Sequence, residues 1–148
     1  MKKVWILICL LLIIVGVIIF IILGDNSKKE ININDIGKKL DNPNHDILIP
    51  TKYDVKNVYL HNDDFVSAWA EIIMSNKIEI SIYTSDDLKN KSSKYINKKK
   101  VNNTTIKEYK TNDGRREYIF KQDKLIYMYK FSSSEKENIN QYLKTNLD

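Results

Sequence analysis

Thr104 to Phe131 reads TTIKEYKTNDGRREYIFKQDKLIYMYKF, with three strand candidates, Thr104 to Lys110, Arg115 to Lys121 and Leu125 to Phe131, broken at Asn112-Asp113-Gly114 and at Gln122-Asp123-Lys124. Within the second and third runs Tyr118 and Phe120, then Tyr127 and Tyr129, recur at every other position. That spacing puts each pair on one face of an extended strand. Asn-Asp-Gly is a strong hairpin signal, because glycine accepts the positive φ that a tight turn demands. The stretch is therefore predicted to be an antiparallel meander.

The same pattern extends upstream. Tyr53 to Leu60 follows Pro50 and reads as a strand. Phe65 to Met74 and Lys77 to Tyr83 read as a hairpin around Ser75-Asn76, with Ile78, Ile80 and Ile82 along one face of its second arm. The polar stretch Ser85 to Lys100 is read as a loop. Downstream, Ser132-Ser133-Ser134-Glu135 offers a hydroxyl to free amides and a glutamate to reach back. Ile139, Tyr142, Leu143 and Leu147 then recur at three- and four-residue steps, a stripe that a helix would bury against the sheet. The expected domain is α+β: an antiparallel sheet of five or six strands with a C-terminal helix packed on it.

Ahead of this domain the composition changes. Residues 25–46 are rich in Asn, Asp and Lys and read as a juxtamembrane tether, in which Ile33, Ile36 and Leu40 allow one short helix. Val4 to Leu23 is an uncharged run of 20 residues, about 30 Å long as a helix and so matched to the bilayer hydrocarbon. With Lys2 and Lys3 before it and Trp5 at the interface position, residues 1–24 are predicted to be a transmembrane signal-anchor helix, with the N-terminus cytoplasmic. A cleaved signal is the rival, but Ile22 is large for a small-x-small site. Cys9, preceded by Ile8, reads as a membrane-embedded thiol in preference to a lipidation site. Residues 47–148 would then be an extracytoplasmic α+β domain on a single-pass protein, with the lipid bilayer as partner through Val4 to Leu23.

Several residues together carry a resemblance: Ile49-Pro50-Thr51-Lys52-Tyr53, the hairpin ending Ile78-Glu79-Ile80-Ser81-Ile82-Tyr83, the stretch Val101 to Ile106, the pair Glu117-Tyr118-Ile119-Phe120 and Leu125 to Tyr129, and the final Ser-led helix. In this order residues 47–147 resemble an uncharacterised extracytoplasmic domain of Gram-positive membrane-anchored proteins, related to anti-sigma regulators and lipoprotein-carrier-like folds. Asn102 and Lys124 stand where that family has an aromatic residue and a glycine. The resemblance implies a curved sheet with a helix against its concave face, and a binding or sensing role.

Catalytic chemistry finds few residues to work with. Of the four glycines, Gly16 and Gly24 belong to the apolar run or its end, so no glycine-rich phosphate loop is present. No Gly-x-Ser-x-Gly elbow occurs, and the single cysteine falls in the apolar run. His45 and His61 are the only histidines. His61-Asn62-Asp63-Asp64 has metal-ligating types, but it sits where a turn is expected, and a solvated turn is the preferred reading. Asp86-Asp87 reads as the start of a helical turn. We therefore expect no enzyme, no cofactor and no metal.

Binding is the remaining class. Without Lys2 and Lys3, 22 basic residues stand against 19 acidic ones in the portion after the apolar run, an excess too mild for a nucleic-acid signature. The lysines cluster at Lys89, Lys91, Lys94, Lys98, Lys99 and Lys100. A solvated loop is the plain reading, and contact with an anionic surface is the functional one. Tyr118, Phe120, Tyr127 and Tyr129 read as core, with a groove for an extended peptide or apolar chain as the alternative. Trp69 reads as a further core anchor. The expected function is a non-catalytic binding or sensing module of a bacterial cell envelope, whose partner is an envelope protein, peptide or wall polymer. The alternative is a structural or assembly component of an envelope complex.

Overall fold

The computed structural model describes residues 28–43, 46–63, 66–84 and 93–147. The run 4–23, read above as a transmembrane helix, lies outside them. Among the described residues no helix is long and apolar enough to cross a membrane.

Eight strands form one antiparallel sheet: β1 (Lys28–Glu30), β2 (Val55–Asp63), β3 (Val66–Met74), β4 (Glu79–Tyr83), β5 (Ser93–Val101), β6 (Thr104–Thr111), β7 (Arg116–Gln122) and β8 (Leu125–Phe131). Their order is β1-β2-β3-β4-β8-β7-β6-β5. Two four-stranded meanders thus meet at a single seam, where Ile80 faces Tyr129 and Ile82 faces Tyr127. The expectation of five or six strands is corrected to eight. Both additional strands end the sheet, where neither face is fully covered and the alternation of apolar and polar residues fades. β1 comes from the segment read as a tether, and β5 from the stretch read as a polar loop.

One face of the sheet is covered and holds the core. Val58, Ala70, Ile72, Ile80, Ile82, Ile106, Tyr118, Phe120, Tyr127 and Tyr129 are all buried there. Two elements lie against them. One is the C-terminal helix α2 (Lys136–Asn146) with Ile139 and Leu143, followed by Leu147. The other is residues 31–43 and 46–53, which supply Ile36 and Leu40, from and just after the one-turn helix α1 (Ile36–Lys39), together with Tyr53. This second covering includes much of the predicted tether, so that segment contributes to the core. The Tyr129 hydroxyl donates to the Leu48 carbonyl at 2.6 Å, fixing the covering chain to the sheet. Gly37 permits this path, because a Cβ there would lie 2.9 Å from the Asn42 carbonyl oxygen.

The start of α2 differs from the expected capping box. Ser132 adopts an extended conformation before the 3₁₀ turn Ser133–Glu135, but its side chain makes no capping hydrogen bond. Glu135 reaches sideways instead, accepting from the Tyr53 hydroxyl at 2.5 Å and the Asn76 amide at 3.0 Å. Burial, reinforced by the hydrogen bond to this carboxylate, pushes the Tyr53 hydroxyl up to about 12. The carboxylate therefore ties three segments together where a helix cap was expected.

The β6–β7 turn has the predicted Gly114 at φ 85°. Asp113 accepts from the Thr111 hydroxyl, and from Arg115 through its backbone N–H at 3.3 Å and its Nε at 2.7 Å. These hydrogen bonds, with Thr111 foremost, hold its carboxyl down to about 2. A depressed folded value stabilises the fold above the unfolded pKa of about 3.9, and that contribution is lost as pH falls toward the folded one. The Asp113 side-chain carbon is expected to titrate near pH 2 by NMR, and Asp113→Asn should flatten the acid limb of the stability curve between about pH 4 and the folded value. An ordinary aspartate titration would contradict the turn's ionic lock.

Candidate functional site

β5 and β6 form a ribbon at one end of the sheet, closed by Asn102-Asn103. Asn102 takes the turn's positive φ of 52°, and its side-chain amide donates to the Leu147 carbonyl at 2.6 Å, anchoring the ribbon to the end of α2. The register pairs Asn97 with Glu108, Lys98 with Lys107, Lys99 with Ile106 and Lys100 with Thr105, after a bulge between Tyr95 and Asn97. Because side chains alternate between faces, this register divides the lysines. Lys99 shares the core face with Ile106, whereas Lys98, Lys100 and Lys107 share the opposite one.

Lys99 is a structural cation. Its ammonium lies 4.2 Å from the centroid of the Tyr118 ring, donates to the Tyr118 hydroxyl at 3.1 Å and also bonds the Asn140 side chain on α2. Burial chiefly, with the neighbouring Lys136 charge, pushes its pKa down against the pull of Glu108. Glu108 itself is buried on the same face, accepting from Arg116 at 3.1 Å and Lys136 at 2.9 Å. The carboxylate opposite Asn97 is thus already neutralised inside the domain.

Lys98, Lys100 and Lys107 are exposed and form no ion pair among the described residues. Lys98 and Lys100 stand about 7 Å apart along β5, and Lys107 stands about 5 Å across from Lys98. Beside them Tyr95 is 52% exposed and Ile96 38%, with Tyr95 packed edge-on against Tyr109 at 5.6 Å between ring centroids. Lys94 and Lys110, also exposed, face each other at the far end of the ribbon. Lys89 and Lys91 lie outside the described residues. The arrangement concentrates positive charge next to an exposed aromatic on an open strand.

Tyr118, Phe120, Tyr127 and Tyr129 are core residues. Tyr118 faces Tyr129 and Phe120 faces Tyr127. Exposures of 0 to 2% leave these four rings closed to a ligand. Burial drives the Tyr127 hydroxyl up to about 12. Trp69, expected in the core, lies on the opposite face of the sheet. It stacks between His61 at 3.8 Å and Tyr83 at 5.2 Å, across three adjacent strands. Both faces of its indole are therefore occupied. Glu71 accepts from Lys28 at 3.0 Å and contacts His61 Nε2 at 3.1 Å. Burial raises the Glu71 carboxyl, but these two partners outweigh it and hold it below the usual range. Only the strand register reveals this cluster; His61, Trp69 and Tyr83 have no shared spacing in the sequence.

Metal-ligating residue types are scattered among the described residues. No three His, Cys, Asp or Glu groups converge there to hold a metal ion, and His45, Asp64, Asp86 and Asp87 lie outside them. An open depression of about 390 Å³ is lined by Lys39, Asp41, Ser67, Thr84 and Lys124 along with apolar groups. Another of about 460 Å³ is lined by Asn34, Lys38 and Asp46 beside Ile33, Ile47 and Ile49. Neither contains a histidine or cysteine. Comparison with family models, with curated proteins and with solved structures returned no match.

Proposed function

We propose that this chain is a non-catalytic binding module of a bacterial cell envelope, held in the membrane by the run Val4 to Leu23, with its β-rich body outside the cell. It engages anionic partners through Lys98, Lys100 and Lys107. The single observation behind this reading is that three lysines stand together on one face without an ion pair among the described residues, while Glu108 is turned inward to Arg116 and Lys136. Like charges so close destabilise the free sheet, and an anionic partner relieves that repulsion.

Full-length protein in nanodiscs of zwitterionic lipid is expected to bind labelled polyglutamate. The affinity should fall about tenfold in the Lys98→Gln/Lys100→Gln/Lys107→Gln variant, and comparably when salt is raised from about 50 to about 300 mM. Protease added to intact cells should remove the body. A triple variant that binds as tightly as the parent, or a body protected from protease, overturns the reading.

A further inference from the structure

We propose that the free edge of β5 takes an extended acidic peptide as a ninth strand, with carboxylates at alternate positions facing Lys98 and Lys100. This rests on the anionic-partner reading above and names the partner's chemistry. β5 is nine residues long, ends the strand order and, among the described residues, pairs with β6 alone. The opposite edge strand, β1, has three residues. Along its open side β5 therefore offers a row of backbone donors and acceptors with no strand beside them among the described residues, a template for strand addition. Beyond the bulge, Asn97 to Val101 keep regular register with β6, so this part of the edge presents a straight ladder.

Charge selects the occupant. A second copy pairing β5 with β5 would set lysine-rich strands against each other, and like charges directly opposite are destabilising. A lipid surface would meet the ammonium groups but has no strand backbone to complete the ladder. An acidic strand does both: its backbone pairs with β5, and residues two apart place carboxylates on the face shared by Lys98, Lys100 and Lys107. On the other face Lys99 is already held by Tyr118 and Asn140, so the intervening peptide positions meet no free charge there and suit Thr or Val.

The test uses full-length protein in zwitterionic nanodiscs and the labelled peptide Thr-Glu-Val-Glu-Thr-Glu-Val, together with two isomers N-methylated on the odd or on the even residues. Alternate amides of a strand point to opposite edges. One methylated isomer should therefore bind about as well as the parent and the other about tenfold more weakly. Lys98→Gln/Lys100→Gln should weaken the parent peptide about tenfold, and its binding should slow hydrogen exchange at β5 amides. Equal binding by both methylated isomers, or equal loss in both, overturns strand addition. Binding of polyglutamate without binding of the alternating peptide also overturns it while sparing the anionic-partner reading; failure of both ligands overturns the two together.

Discussion

Ile80→Ala is expected to lower the unfolding free energy by about 2–5 kcal/mol, a large share of the roughly 5–15 kcal/mol typical of a whole domain. Ile80 is fully buried on β4 and faces Ile72 on one neighbour and Tyr129 on the other. Those neighbours belong to different meanders. Truncation removes packing from both sides of the seam that joins them, and the fully buried Ile72 and Tyr129 beside it leave little freedom to collapse into the gap. Urea unfolding of the full chain, followed by tryptophan fluorescence, measures the loss. Ile96→Ala on the exposed edge should change stability by less than about 0.5 kcal/mol. Equal effects at the two positions would show that the seam is not where the sheet's stability is concentrated.

The second large effect is expected at Glu108. Its carboxylate is 2% exposed, while Arg116 and Lys136 retain 27% and 38% exposure. Glu108→Gln leaves Arg116 and Lys136, with Lys99 nearby, without their shared carboxylate partner. Full burial of both partners would place the cost near 3–5 kcal/mol. Because Arg116 and Lys136 keep contact with water, about 1–3 kcal/mol is expected. The cycle with Lys136→Gln should show a coupling of about 1 kcal/mol. Additive losses would mean that Glu108 does not act through its pairing with Lys136.

Six of the strands were legible because each carries either alternation or a turn signal: Ile80 and Ile82 mark β4, Tyr127 and Tyr129 mark β8, and Gly114 marks the corner before β7. The two remaining strands carry neither signal. β1 is three charged residues, Lys28 to Glu30, and their strand character comes from pairing with Tyr59, Leu60 and His61 of β2. In β5 the run Lys98-Lys99-Lys100 looks uniform in composition, yet adjacent residues point to opposite faces, so one lysine packs on Tyr118 while its neighbours meet solvent. Composition has no record of that division. The capping motif failed for a different reason. Ser132 and Glu135 have the right spacing, but Tyr53 and Asn76, 82 and 59 residues from Glu135 in the chain, compete successfully for its carboxylate. Local pattern predicts a local bond, and a tertiary contact displaced it.

β8 is the last strand in the chain and sits in the middle of the sheet, between β4 and β7. A nascent polypeptide leaving the ribosome thus presents the first meander with the β4 border unpaired, and it stays unpaired until Phe131 has been made. Ile80 and Ile82, later sealed in the core, face the surroundings throughout that interval. Synthesis must therefore carry an incomplete β-sheet with a sticky border, and any ribosome stall before Leu125 leaves a fragment poised for self-association.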